Sequence, residues 1–436
     1  MLTPAWFPLR YHPAQTRVWR TKARFVALAC GRGSGKTELS RRRLVRFLPV
    51  KKPWPDPIYF LAYPTRAQAK LVAWEKIKAL IPKEWIASPD DIRESDLTIK
   101  TRFGSKLFLV GMNEPARIEG VQWDGGVIDE SCDQWPGSFD RSVRPTLSHK
   151  TGWCWRIGVP KRFGPGASEF KKCWEDYGSG KLGPRYESYT WPSADILSEE
   201  EIADAARSLD QKDFDEQFGA IWQGTSGLVF YAFDEKLNIE SAKYDPSKPL
   251  IIGSDFNVDP MAWVICQQHT TSRPKLNVID EIWIRNTNTP AALNELDKRY
   301  NRPSVHQSGW IFFGDASSKA RKTSAVQSDY AHIQNDQRFL RKKIFYPAKN
   351  PAIHERFSAC NASFCNALGE RRVFVDPRCK WLLHDLVTRA YEPGSRDVDD
   401  HDDIGHITDA LGYIIHRVWP VVPTSDVVPS VLVGAA

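Results

Sequence analysis

Residues 30–37, Cys-Gly-Arg-Gly-Ser-Gly-Lys-Thr, have the composition of a phosphate cradle. Gly33 and Gly35 let the backbone turn its N–H groups inward. Lys36 can reach terminal phosphates, and the Thr37 hydroxyl can ligate Mg²⁺ at the start of a helix. Arg32, Gly33, Ser34, Gly35, Lys36 and Thr37 are therefore the nucleotide-binding candidates. The first glycine of the usual motif is replaced by Cys30. About ninety residues downstream, Gly126-Val127-Ile128-Asp129-Glu130 is a short apolar run ending in two acids. Such a pair suits phosphoryl transfer: Asp129 to hold the Mg²⁺ shell, Glu130 to orient and deprotonate the attacking water. Gln15, ahead of the loop, has an amide that can pair with both hydrogen-bonding edges of adenine, or it is a plain surface residue. Arg32 and Arg162 are both candidates to neutralise transition-state charge, and the sequence does not choose between them.

The second half carries a different set of acids. Asp255 ends Leu250-Ile251-Ile252-Gly253-Ser254, and Asp315 ends Gly309-Trp310-Ile311-Phe312-Phe313-Gly314. Asp409 lies on a C-terminal helical stretch with Asp402 and His406, at a spacing that puts the three on one face. Carboxylates far apart in sequence, each at the end of a core element, are what a two-metal phosphodiester hydrolase needs. Asp402 and Asp403 compete with Asp409 for the third place. His406 reads as a helix-face residue with no role or as one that helps position the metal water, the first favoured, and Asp280-Glu281 as a strand-end pair rather than a further acid pair.

The elements around these residues alternate. Phe25–Ala29 is an apolar strand run, Glu38–Leu48 a basic helix, Ile58–Tyr63 a buried strand and Ala67–Leu80 a helix. This repetition is the signature of a doubly wound α/β sheet. Leu97–Thr101 and Lys106–Val110 read as a hairpin, and Trp153–Gly158 as a strand ending at Val159-Pro160. Arg41, Arg42, Arg43 and Arg46 on the basic helix read as a solvated face or a DNA-facing one. Residues 181–224 read as helical and polar. After a looser, Pro/Ser/Lys-containing join, strands at 250–255, 261–267, 276–279, 309–315, 341–346 and 373–375 precede a terminal helix opening near Asp402. These give an expected division into 1–225, a linker at 226–248, a second domain at 249–420 and a tail at 421–436.

The chain has 436 residues, 42% hydrophobic and 26% charged, with a net charge of +7. That suits a multi-domain globular protein with a mild affinity for anions such as nucleic acid. Eight scattered cysteines without a Cys-x-x-Cys pair point to reduced thiols rather than disulfides or zinc. No signal-like segment and no membrane-length apolar run are visible, so a soluble intracellular protein is expected.

In order and content these pieces resemble the large terminase subunit of tailed bacteriophages. The features that carry the resemblance are Gln15 ahead of the loop, Gly31–Thr37, Pro64-Thr65-Arg66-Ala67-Gln68-Ala69, and Arg117-Ile118-Glu119-Gly120 before Val127–Glu130. Gly158-Val159-Pro160-Lys161 and Phe214–Phe218 leading to Gly227–Phe230 complete the set. Cys30 and Val159, which stands where the family usually has Thr, depart from the pattern. The resemblance implies a P-loop ATPase domain of the ASCE/RecA-like kind followed by a ribonuclease H-like nuclease domain. It implies ATP with Mg²⁺ at the first site, and two divalent ions, Mg²⁺ or Mn²⁺, at Asp255, Asp315 and Asp409 in the second. It further implies ATP-driven packaging of double-stranded DNA through a portal protein ring, with a small terminase subunit and a homo-oligomeric ring as partners. The place of action would be the host cytoplasm, at the procapsid portal vertex, with no membrane involved. A repair or defence helicase–nuclease, and a nucleotide-dependent assembly protein lacking nuclease activity, are the alternative readings.

Overall fold

The computed structural model describes residues 12–224, 227–270, 274–301, 308–316, 327–392, 397–398 and 403–421. The chain divides into two compact units, Met1–Ile202 with Asp215–Gly224, and Ala203–Phe214 with Thr225–Ala436.

The first unit is built on an eight-stranded sheet in the order β3-β4-β5-β2-β6-β7-β1-β8. Its strands are β1 (Phe25–Ala29), β2 (Ile58–Tyr63), β3 (Ile92–Arg93), β4 (Thr98–Lys100), β5 (Lys106–Gly111), β6 (Gly125–Ile128), β7 (Trp153–Gly158) and β8 (Tyr186–Tyr189). The five central strands β2, β6, β7 and β1 with β5 run parallel, and β7 separates the loop-bearing β1 from the acid-bearing β6. Every residue of β1 and β7 is buried, as expected for parallel strands covered on both faces. The Gly125-Gly126 start of β6 is dictated by packing. A Cβ at Gly126 would lie 2.3 Å from the Phe60 ring, and one at Gly125 2.3 Å from the Trp153 indole.

Two expectations need correction here. The polar segment 181–224 contains a strand, β8, which pairs parallel with β1 at the sheet edge. Its four residues are all only half-buried, so no apolar run announces it. The arginines of the Lys36–Phe47 helix do not form a solvated face, because Arg41, Arg42 and Arg43 are buried and only Arg46 is exposed. Glu38 accepts from Arg41 at 3.0 Å and from Arg42 at 2.7 Å, and the Arg43 guanidinium lies over the Phe47, Trp153 and Trp155 rings. Pairing and aromatic contact offset the cost of burying these cations.

The second unit holds a six-stranded sheet in the order β13-β12-β9-β10-β11-β14. β9 (Leu250–Asp255), β10 (Met261–Thr270) and β11 (Pro274–Ile284) form an antiparallel meander. β12 (Trp310–Gly314) joins β9 in parallel, β13 (Lys342–Phe345) joins β12, and β14 (Val373–Val375) joins β11. The His406–Val418 helix crosses β9 so closely that a Cβ at Gly253 would lie 2.3 Å from the Ala410 carbonyl oxygen. The stretch 226–248, read as a linker, is packed where described: Val229 and Phe230 are fully buried in this unit's core. Asn238 there donates to the carbonyls of Phe364 and Val373. No helix among the described residues is long and apolar enough to cross a membrane. All eight cysteines are free thiols, seven of them buried.

Candidate functional site

The phosphate loop leaves β1 at Ala29 and enters its helix at Lys36. Gly33 and Gly35 take φ of 70° and 79°, the left-handed region that only glycine occupies without strain. The amides of Cys30, Gly31 and Arg32 are spent on the carbonyls of Gly158, Trp191 and Gln217, which fixes the loop's entry. The first helical turn leaves its amides without intrahelical acceptors, aimed at the loop's interior. Lys36 is buried, and its ammonium donates to the Gly31 carbonyl at 3.2 Å. Gln15 is buried beside the loop, and its amide nitrogen donates to the Ser34 carbonyl at 3.1 Å. The Trp191 indole donates to the same carbonyl at 2.8 Å. Gln15 thus braces the loop, a contact that its position ahead of β1 did not reveal.

Asp129, at the end of β6, faces this loop. Its carboxylate accepts from the Tyr63 hydroxyl at 3.0 Å and from the Glu130 amide at 2.8 Å. Burial pushes its carboxyl up, and the Lys36 ammonium opposes that shift. Glu130 sits at φ 51°, ψ 51°, an uncommon conformation for a residue with a Cβ and one that clusters at functional sites. Burial, then the Asp129 charge, raises its carboxyl, while Lys161 pulls it down. A raised carboxyl is a better proton acceptor when ionised, as a general base requires. Of the two candidate arginines, Arg32 is exposed on the loop. Arg162 is buried in an ion pair with Glu216 at 3.0 Å, both side chains less than a tenth exposed. Tyr63, Trp191 and the His12 ring, which accepts from the Gln15 amide, belong to this site and were missed. They lack motif spacing, so only the fold brings them in.

The second unit gathers its acids at one end of β9 and β12. Asp255 ends β9, Asp315 follows β12 and is buried, and Asp409 lies in the first turn of the His406–Val418 helix. Burial raises the Asp255 carboxyl, His406 lowers it, and the charges of Asp409 and Asp315 raise it again, so the three acids share one field. His406, read as a bystander, accepts or donates at Nδ1 to Asp255 Oδ2 at 2.8 Å. Asp409 is held by two buried arginines: Arg389 at 2.9 Å and Arg356 at 3.2 Å reach the same Oδ1. Neither arginine has a spacing that could have marked it. Asp403 pairs with Arg285 instead, and Asp402 lies outside the described residues. Glu281 is structural. It accepts from the Trp381 and Leu382 amides at 2.9 Å and caps the Lys380–Thr388 helix, while Asp280 pairs with Arg299.

No family model matches the chain, and no curated protein matches it in sequence. Solved structures do. A crystal structure of the large terminase from a thermophilic bacteriophage superposes with a TM-score of 0.55 at 14% identity, covering 93% of this chain and 98% of that one. The complex of that terminase with ADP gives a TM-score of 0.54 at 14% identity over 94% and 99%, and its complex with ATP-gamma-S 0.52 at 14% over 93% and 98%. The chain is similar in fold to a phage large terminase over nearly its whole length. The fold class is accordingly α/β, in two units arranged as in a large terminase.

The terminase-like fold implies metal at both ends, and the residues present can be tested for it. At the loop, the buried Asp129 carboxylate, with the Thr37 hydroxyl near enough to lower its proton affinity, has the donor chemistry of a Mg²⁺ site. In the second unit Asp255 and Asp315 fit a hard cation, since the charge of Asp315 raises the proton affinity of Asp255 and a cation would relieve this. Asp409 fits less well, with both oxygens engaged by guanidinium groups. Among the described residues no three His, Cys, Asp or Glu side chains stand close enough together to form a complete metal cage.

Proposed function

We propose that the chain is a viral DNA-packaging motor protein that hydrolyses ATP in its first unit and cuts DNA in its second. The observation that supports the first part is the buried Asp129 carboxylate, which follows β6 one strand away from β1 and on which the charge of the loop's Lys36 acts. ATP would lie with its phosphates against the amides of Gly33, Ser34 and Gly35 and the Lys36 ammonium. Mg²⁺ held by Thr37 and Asp129 would neutralise charge on the β- and γ-phosphates when bound. Glu130 accepts a proton from water as its oxygen bonds to the γ-phosphorus and the bond to ADP breaks. Arg32, exposed beside the phosphates, is the better placed of the two arginines to meet developing charge, because Arg162 is already neutralised by Glu216. Gly158-Val159-Pro160, at the end of the strand paired with both β1 and β6, would report the γ-phosphate's loss.

In the second unit, Asp255, Asp315 and Asp409 would bind two divalent ions, Mg²⁺ or Mn²⁺. The chemistry such ions would supply when bound is activation of a water and charge neutralisation at the leaving 3′ oxygen. His406 orients the Asp255 carboxylate, and Arg356 and Arg389 orient that of Asp409. The partners of this reading are double-stranded DNA, a portal ring, a small terminase subunit and further copies of the chain, met in the host cytoplasm at the procapsid. ATP turnover of the purified protein, with and without duplex DNA and a portal ring, tests it. Stimulation by the portal is expected, and turnover indifferent to both partners would contradict a packaging motor.

A further inference from the structure

At the edge of the first sheet opposite the phosphate loop lies an open groove of about 960 Å³. It is formed where β1 and β7 begin and where the Lys36–Phe47 helix ends. Six cations line it, Arg20, Lys22, Arg24, Arg43, Arg46 and Arg185, and no acid does among the described residues. Arg20, Lys22, Arg46 and Arg185 are exposed at its rim. Arg43 at its floor is buried, yet its Nε has no hydrogen-bond partner. The crowding is costly. Burial and then Arg46 lower the Arg43 guanidinium to about 10, and burial, Arg144 and Arg185 lower that of Arg24. A surface that gathers like charges, with a buried donor left over, is suited to an anion.

We infer that this groove binds the sugar-phosphate backbone of duplex DNA, which gives the proposed motor a contact surface joined to its nucleotide site by one helix. Five of the six cations are arginine, whose planar fork matches phosphate oxygens. A free nucleotide is disfavoured because the aromatic faces are already covered. Arg43 lies over Trp153 at 5.4 Å and Phe47 at 5.0 Å, and Arg46 over Trp19 at 4.9 Å, so no ring is left for a base to stack on. The same fact predicts recognition without sequence preference. The helix running from Lys36 to Phe47 spans about 18 Å at 1.5 Å per residue, so a shift of the loop is carried rigidly to Arg43 and Arg46.

The inference rests on the reading that the chain handles DNA, and the test separates the two. The full chain, kept in EDTA so that nothing is cut, is titrated into a labelled duplex of about 30 base pairs at several salt concentrations. Arg46→Gln/Arg185→Gln should weaken binding roughly tenfold and flatten the salt dependence of log K by about 2, with far-UV circular dichroism unchanged. Arg46→Lys/Arg185→Lys should restore the slope. Wild-type affinity and slope in the Gln variant would overturn the inference while leaving the motor reading intact; no duplex binding by the wild type would overturn both. Competition by poly-glutamate as effective as by duplex of equal charge would assign the groove to an acidic protein instead. Loss of a second mant-ATP equivalent in the Gln variant would assign it to a nucleotide. Either result would contradict the DNA assignment.

Discussion

The two acid clusters of this chain are kept ready in opposite ways. At the phosphate loop, Asp129 is bonded to a neutral hydroxyl and an amide, from Tyr63 and Glu130, and its cationic neighbour Lys36 is turned to a loop carbonyl. In the second unit, Asp409 is ion-paired with two buried arginines and Asp255 with a histidine. The first carboxylate can exchange a hydroxyl for a cation at little cost. The second must share its oxygens with fixed positive charge, so any metal there competes with the protein itself. An acid at a strand end therefore says less about its readiness for a metal than do the donors around it.

Glu130→Gln breaks the comparison most severely. It should lower ATP turnover by about 10²–10⁴-fold while nucleotide affinity, measured with mant-ATP, is retained. Retained turnover would move the general base elsewhere. Next is Arg389→Met, which leaves part of a buried charge network unmatched. We expect a loss of about 3 kcal/mol in urea unfolding of the second unit, whereas a change below about 0.5 kcal/mol would show that Arg356 alone suffices.

The His406–Asp255 contact gives a smaller, pH-dependent effect. The hydrogen bond to Asp255 raises the His406 value above its usual 6.5 in the folded chain. Its stabilisation is thus fully present below about pH 6.5, provided Asp255 is ionised, and is lost as pH rises through the raised folded value. His406→Ala in EDTA should therefore lower Tm more at about pH 6 than at about pH 9. Cys30→Ala should change least, with turnover within about twofold of wild type. Cys30 is buried, burial raises its thiol well above the ordinary range, and it takes no left-handed φ that would demand glycine.

Much of this was legible in the residues because the local rules agreed. Phe25–Ala29 and Ile58–Tyr63 are apolar without interruption, and both form strands over those same residues. Gly33, Gly35 and Lys36 carry their geometry in their own chemistry. What stayed hidden was supplied by distant chain. The strand Tyr186–Tyr189 has no apolar run, Trp191 reaches the loop from 157 residues away, and Arg356 and Arg389 meet Asp409 only after three helices pack. The basic helix misled for the same reason. Arginines packed so densely along one helix look solvated, and only the aromatic rings of β7 and the Glu38 carboxylate explain why Arg41, Arg42 and Arg43 are buried.

ATP hydrolysis and plasmid cleavage, run side by side on wild type, Lys36→Ala and Asp255→Ala with Mg²⁺ or Mn²⁺, test the central claim of two separate sites on one chain. Lys36→Ala should lose at least about 10²-fold in ATP turnover and still nick plasmid, and Asp255→Ala should hydrolyse ATP and leave plasmid intact. Cleavage by Asp255→Ala at the wild-type rate, or ATP turnover by Lys36→Ala at the wild-type rate, would contradict it.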